Sequence, residues 1–268
     1  MKKAARKKHP ARIKKKHKAK ARRTIRAGKI FEKRVGSGIP NFDGLIEGGF
    51  EKNSINIAAG SAGSGKSIFA MQFLIEGLKK GEKCLYVSFE EQKEHFYNNM
   101  LDFGWDLKGS EEKGDFSFLQ YTPEKVRLML EEGGGSIESA VLTKKISRIV
   151  IDSLTSFALL FNDELEKRQS ILNLFNMIKD WGCTCVATLD ENSSAKGRVL
   201  SSNFDIESDS IIVLYYLRRG ERRERFLEVL KMRGTKHSSK IYPLEFTSRG
   251  LVVHKNALSD QVAFKLGL

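Results

Sequence analysis

The sequence predicts an α/β fold: a mainly parallel sheet covered by helices on both faces, with a C-terminal antiparallel extension. Three observations predict it. From Ser54 to Leu189, short apolar runs alternate with segments of helical period, and parallel strands need such crossovers. Thr184 to Leu189 and Ser210 to Leu217 read as buried strands, as in a sheet covered on both faces. Beyond Ser210, strand-like runs follow one another with no helix between them, so their connections suit antiparallel pairing.

The elements follow in order. Residues 36–49 are rich in glycine and turn formers and read as turn, short helix, turn. Ser54 to Ala59 reads as a strand. Ser67 to Lys80 reads as a helix with Ile68, Met71, Leu74 and Leu78 on one face, ended by Gly81. Lys83 to Phe89 is a second strand, Glu91 to Phe103 a helix and Phe116 to Leu119 a short strand. Pro123 to Glu132 and Ile137 to Lys145 are helical, separated by the breaker Gly133–Gly135. Arg148 to Ile151 is an apolar strand ending at Asp152. Asp163 to Trp181 is a long helix with Leu165, Ile171, Leu172, Phe175 and Ile178 on one stripe, stopped by Gly182. Thr184 to Leu189, Ser210 to Leu217, Arg225 to Arg233, Ile241 to Phe246 and Leu251 to His254 are strands.

Charge divides the chain. Residues 1–34 hold 17 Lys/Arg and one acid, Glu32; the other residues hold 30 Lys/Arg and 32 Asp/Glu. The reading is a disordered polybasic arm, 1–34, and one globular domain, 35–268. A segment of +16 attracts polyanions, so DNA or RNA is the expected partner of the arm. Residues 1–30 contain no Phe, Tyr or Trp, so contact falls on phosphates rather than stacked bases.

The longest apolar run, Ile211 to Leu217, has seven residues, whereas a membrane-spanning helix needs about 20. No membrane insertion is expected, and the basic N-terminal stretch lacks the apolar core of a secretory signal. Cys84, Cys183 and Cys185 contain no CxxC pair, which argues against a disulfide framework or zinc site and for buried thiols in a reducing, cytoplasmic setting.

The chemistry centres on Gly60, Ser61, Ala62, Gly63, Ser64, Gly65, Lys66 and Ser67, a GxxxxGK[ST] loop between an apolar strand and an amphipathic helix. Its backbone N–H groups suit phosphate oxygens, Lys66 the β/γ-phosphates and Ser67 a Mg²⁺ ion. Asp152 ends an apolar strand at the edge where open α/β sheets bind ligands, and supplies a second metal ligand. Ser153 follows Asp152, so a carboxylate to position water comes from elsewhere. Glu90 and Glu91, at the tip of the next strand after the loop's helix, are the candidates. Glu90 is favoured, because an acid at Glu91 also serves as an ordinary helix N-terminal residue.

These motifs sit among further blocks: Gly38-Ile39-Pro40-Asn41-Phe42-Asp43 with Gly48-Gly49; Tyr86-Val87-Ser88-Phe89-Glu90-Glu91; Phe103-Gly104-Trp105-Asp106; Ile151-Asp152-Ser153-Leu154; and Leu230-Lys231-Met232-Arg233-Gly234-Thr235-Lys236-His237. In order and spacing they resemble the RecA/KaiC superfamily, specifically single-domain KaiC-like ATPases of archaea, over residues 36–254. The resemblance implies a RecA-like P-loop NTPase fold, ATP and Mg²⁺ as ligands, and hexameric rings with ATP between subunits. It also implies that Lys231 and Arg233 act on a neighbour's phosphates, with His237 nearby. Residues 231 and 233 share one face of a strand; Arg225 lies on that same face and is a weaker candidate. Asp190 and Glu191 stand where the family shows a polar-acidic pair. Lys196 and Arg198, in the small polar stretch that follows, suit either a channel loop touching nucleic acid or a plain surface loop. KaiC carries two such domains in tandem, so a clock or autokinase role does not carry over. The functional reading is an ATP-hydrolysing ring acting with nucleic acid. The alternatives are a weakly hydrolysing ATP-dependent switch in a signalling or motility-type assembly, and a KaiC-type autokinase.

Overall fold

The computed structural model describes residues 34–131, 133–191, 207–266 and 268. The expected disorder of residues 1–33, and Lys196 and Arg198, lie outside the described residues. Val35–Leu268 forms one compact unit.

The chain opens with β1 (Arg34–Val35), a 3₁₀ turn at Asp43–Ile46 and β2 (Phe50–Glu51), which pairs with β1. There follow β3 (Ile55–Gly60), α1 (Lys66–Lys79), β4 (Lys83–Ser88), α2 (Lys93–Leu101), α3 (Leu107–Glu112) and β5 (Phe116–Gln120). Then come α4 (Pro123–Glu131), α5 (Gly135–Lys144), β6 (Ile146–Asp152), α6 (Leu154–Ala158), α7 (Glu164–Asp180) and β7 (Thr184–Asp190). The chain finishes with β8 (Ser210–Arg219), β9 (Arg222–Met232), β10 (Tyr242–Thr247), β11 (Gly250–Val253) and α8 (Asp260–Leu266).

The main sheet runs β11-β10-β9-β8-β3-β7-β6-β4-β5. From β8 to β5 the neighbours are parallel; β9, β10 and β11 add antiparallel. The expected α/β class with its antiparallel extension is the observed architecture. Side chains of β3 alternate between two cores: Ala58 joins the one with Phe42, Phe69 and Tyr86, and Ile55, Ile57 and Ala59 join the one with Phe157 and Phe175. Burial on both faces is why this strand carries apolar residues on each side, with Asn56 buried among them. Cys84, Cys183 and Cys185 are free, buried thiols, and burial pushes Cys84 and Cys183 up to about 12.

Two helices differ from their predicted faces. In α1, Phe69, Ala70, Met71, Phe73 and Leu74 are buried, while Ile68 and Leu78 are half-buried. The helix is sandwiched: residues 36–50 close over its outer side, where Phe42 meets Phe69 edge-on at 5.3 Å and Phe50 meets Phe73 at 5.9 Å. In α7 the buried stripe is Ile171, Leu174, Phe175 and Ile178. Leu165 is exposed because positions 164–166 all face solvent; that first turn is fixed instead by Asp163, whose carboxylate accepts the N–H groups of Leu165 and Glu166 at 2.9 Å. Helices α3, α6 and α8 were not expected.

Arg148 of β6 is fully buried. Its guanidinium donates to the Glu82 carboxylate at 2.7 and 3.0 Å and to the carbonyls of Gly36 and Phe73 at 2.7 and 2.8 Å. This satisfied buried charge ties the segment 36–50 and α1 to the sheet. Among the described residues no helix is long and apolar enough to cross a membrane.

Candidate functional site

The loop 60–65 leaves the C-terminal end of β3, the central strand, between β7 and β8. It passes so close to its neighbours that a Cβ on Gly60 would lie 2.3 Å from the Leu214 carbonyl oxygen and 2.7 Å from Ser64 Oγ. Gly65 turns the chain into α1 with φ +105°, a conformation L side chains rarely adopt. Helix α1 has no side-chain cap, so its first N–H groups are left for a ligand. Among the described residues the buried Ser64 hydroxyl has no hydrogen-bond partner. A glycine cradle, an open helix N-terminus and an orphaned hydroxyl fit a nucleotide phosphate.

Lys66 is 9% exposed. Its ammonium donates to the Ser61 carbonyl at 3.1 Å and pairs with Asp190 at 2.8 Å. Asp190, at the end of β7, is held by its backbone N–H on Thr155 Oγ1 at 2.8 Å, and Glu191 donates its N–H to the Gly60 carbonyl at 3.1 Å. The acidic pair noted in the sequence thus stands directly beside the phosphate loop, with Asp190 on Lys66.

Asp152 ends β6 opposite Ser88 of β4. One carboxylate oxygen accepts the Tyr86 hydroxyl and the other the Thr188 hydroxyl. The Tyr86 phenol is raised well above its ordinary value by burial, then by the Asp152 charge, with Ser67 acting the other way. Tyr86 therefore holds Asp152, one of the two predicted metal ligands. Sequence reasoning gave it no role; only the register of β4 against β6 shows that it reaches Asp152.

Glu90 and Glu91 follow β4, on the same edge. Ser88 Oγ accepts the N–H groups of Glu91 at 2.9 Å and Glu90 at 3.4 Å, and Phe89 donates its N–H to the Asp152 carbonyl at 3.0 Å. The two side chains then diverge. Exposed Glu90 accepts the hydroxyl of Ser156 in α6. Half-buried Glu91 meets His95 Nδ1 and Asn99 Nδ2 of α2, each at 3.3 Å, and its charge is among those that raise Tyr86.

Lys231, Arg233 and His237 lie elsewhere. Lys231 donates to the Ser208 carbonyl at 2.7 Å, and the Arg233 N–H to the Asp209 carbonyl at 2.8 Å. His237 Nδ1 is 3.0 Å from the Ser238 carbonyl. Asp209 accepts the Ile55 N–H at 2.9 Å, so this block sits at the N-terminal end of β3, the edge opposite Gly60. Arg225 is not with it, which corrects the expected common face. Arg225 is paired with Tyr216, donates from Nε to the Gly63 carbonyl at 3.0 Å and lies over the rings of Tyr216 and Phe246 at 4.2 and 5.0 Å. Strand β9 runs the height of the sheet, and the irregularity where Ile211 pairs with Lys231 but Ile212 with Val229 breaks the simple alternation between residues 225 and 231.

A family model described as ATPase: KaiC matches residues 35–257. The chain is similar to circadian clock protein KaiC3 of Synechocystis, 32% identical over 228 residues, covering 81% of this chain and 45% of that protein. It is also similar to a UPF0273 protein of Pyrococcus horikoshii, 31% identical over 239 residues, covering 83% and 94% of the two chains. The chain thus spans less than half of the clock relative and nearly all of the shorter one. Among solved structures, a KaiC-like protein of Pyrococcus horikoshii superposes with a TM-score of 0.73 at 33% identity, covering 82% of this chain and 98% of that one.

Proposed function

The chain belongs to the KaiC ATPase family of the RecA superfamily, and on that premise we propose that it binds ATP with Mg²⁺ and hydrolyses it to ADP and phosphate in sites completed between copies of the chain. The observation that carries this reading is the convergence on one sheet edge of the loop 60–67, the Tyr86–Asp152–Thr188 cluster and Glu90–Glu91. Loop N–H groups and Lys66 would hold the β- and γ-phosphates; Ser67 and Asp152 would hold the metal, oriented by Tyr86 and Thr188. Bound Mg²⁺ supplies neutralisation of charge on the phosphate oxygens. Glu90 orients a water and accepts its proton, held from behind by Ser156; Glu91 is the next candidate. Arg225 with Tyr216 and Phe246 forms a shelf beside Gly63 for the rest of the nucleotide.

Lys231, Arg233 and His237 stand at the far edge of their own sheet, so they act on a phosphate only from a second copy. The assembly is proposed as a ring, a hexamer by family resemblance. The arm, residues 1–34, is proposed to contact DNA or RNA phosphates through its charge of +16.

Phosphate release by the full-length protein, with Mg²⁺ and in EDTA, tests the central claim. Lys66→Ala is expected to abolish nucleotide binding and release; equal release by wild type and variant refutes it. One observation favours a second reading, a switch that binds ATP and turns it over slowly: the Lys66–Asp190 pair at 2.8 Å opposes phosphate entry. Tight binding with no release above background selects the switch.

A further inference from the structure

Beyond Arg225, the hairpin β8–β9 carries arginines that the nucleotide site does not account for. Residues 218–224 hold Arg218, Arg219, Arg222 and Arg223 against Glu221 and Glu224. The strand register sets Arg218 directly opposite Arg223 and Arg219 directly opposite Arg222. Cross-strand partners share a face, and like charges placed so are destabilising. One pair is partly neutralised, with Arg219 meeting Glu224 at 3.1 Å; among the described residues Arg218, Arg222 and Arg223 have no ion pair at the tip. Arg218 donates to the Gly220 carbonyl at 3.1 Å, and Arg223 lies over Tyr216 at 5.3 Å. Arg218, Arg219, Arg222 and Arg223 are all exposed. A local cost repeated on two successive rungs, offset by one exposed ion pair and one ring contact, marks a surface shaped for something outside it.

We propose that the tip of the β8–β9 hairpin is a contact surface for the phosphate backbone of double-stranded nucleic acid, separate from the N-terminal arm. A guanidinium fork matches phosphate oxygens in two-point contacts. The ribbon presents such forks on both faces, Arg218 and Arg223 on one, Arg219 and Arg222 on the other. A major groove about 12 Å wide admits a two-stranded ribbon, and a ribbon seated there has a phosphate strand on each side. None of the large exposed apolar side chains falls within residues 218–225, so the tip lacks the anchors of an apolar protein interface or a bilayer surface. At its base Arg225 holds the Gly63 carbonyl, which places the surface against the phosphate loop.

The test uses the full-length chain and a labelled duplex of about 30 base pairs, with binding measured across a salt series. Each lost phosphate contact lowers the slope of log K against log salt by about 0.9, so the triple variant Arg218→Gln, Arg219→Gln, Arg222→Gln is expected to flatten it by about 2.7. The matching triple Lys variant keeps the charge and restores most of the slope. Relieved of like charges, the Gln variant melts no lower than wild type, so a loss of slope is not a loss of fold. A Lys14→Gln, Lys15→Gln, Lys16→Gln variant runs in parallel. If it lowers the slope and the hairpin variant does not, the hairpin proposal fails while the arm reading stands. Absence of duplex binding by wild type overturns both. An unchanged slope with a loss of oligomer mass gives the hairpin to a second copy of the chain and overturns the proposal.

Discussion

Replacing Asp190 with Asn tests the ion pair that stands on the phosphate lysine. The Asp190 carboxylate lies 2.8 Å from the Lys66 ammonium, and an entering phosphate competes for that charge. At an effective dielectric of about 20, two unit charges at this distance attract by about 6 kcal/mol. Lys66 is 9% exposed but Asp190 is 46% exposed, so water screens the pair down to the order of 1 kcal/mol. Removing the competitor is therefore expected to tighten ATP binding about fivefold. The exchange preserves the surroundings, because the bond that fixes the strand end runs from the residue 190 backbone N–H to Thr155. Equilibrium titration with a fluorescent ATP analogue, at low and high salt, reads the effect. The gain should shrink as salt rises, since one partner is half in water. Unchanged affinity at low salt refutes the competition, and weaker affinity means that Asp190 helps to hold the nucleotide or its metal.

Glu90→Gln is expected to keep ATP binding and slow turnover by about 10²–10⁴-fold; wild-type turnover in Glu90→Gln together with loss in Glu91→Gln moves the role to Glu91, whose charge reaches Tyr86. A mixture of Lys66→Ala and Arg233→Ala chains should release more phosphate than either alone, because the lesions lie at opposite sheet edges; an Arg on a transferring phosphoryl group contributes on the order of 10³-fold, and activity of wild type that is independent of protein concentration counts against it. Acid stability should depend on Glu82. Burial pushes this carboxyl up, but the Arg148 hydrogen bond and charge outweigh that and leave it below its ordinary 4.5. A depressed carboxyl stabilises the fold fully above the unfolded value, and this contribution is lost as pH falls through the folded one. Thermal melts of Glu82→Gln across pH 2–7 (about two units either side of the carboxylate range) should therefore fall less steeply in acid than wild type; parallel curves refute the linkage.

Much of the fold was legible because period carries it. The strands Lys83–Ser88 and Thr184–Asp190 are centred on the apolar runs Cys84–Val87 and Cys185–Ala187, and the segments around Gly81, Gly133 and Gly182 punctuate the helices between them. Faces were less legible. Ile68 and Leu78 looked like core in α1, yet Phe69 and Phe73 are buried more deeply, because a helix covered on two sides has no polar face to mark its inner one. Leu165 was misplaced for the opposite reason: period continues through a first turn that has nothing to pack on. Helices α3 and α6 escaped notice at six and five residues, too short for a period to repeat.

The site divides along the same line. Lys66, Ser67 and Asp152 could be named as candidates because the proposed chemistry is tied to a strand–loop–helix context, and their strands do end on one sheet edge. Tyr86 was not, because its role depends on the register of β4 against β6. For Lys231 and Arg233, alternation suggested a shared strand face, but the strand ends at Met232, before Arg233, and its register shifts beside Lys231; alternation could not tell which end of the sheet they occupy. The end follows from strand polarity: β8 runs parallel to β3 and β9 returns antiparallel, so residues 231–233 finish beside Ile55 while Gly60 lies at the other edge. Six residues of β3 separate the edges by about 20 Å. If these residues serve a neighbour's phosphate, the contact joins one edge of a chain to the opposite edge of the next. Such a contact is head-to-tail, and it closes as a ring or grows as a filament. A two-fold dimer would need both edges within one self-complementary patch, which that separation opposes. Native mass measurement with ATP is therefore expected to give an assembly larger than a dimer, disrupted by Arg233→Ala more than by Glu90→Gln. A species that stops at two copies while turning over ATP at full rate removes Lys231 and Arg233 from the reaction.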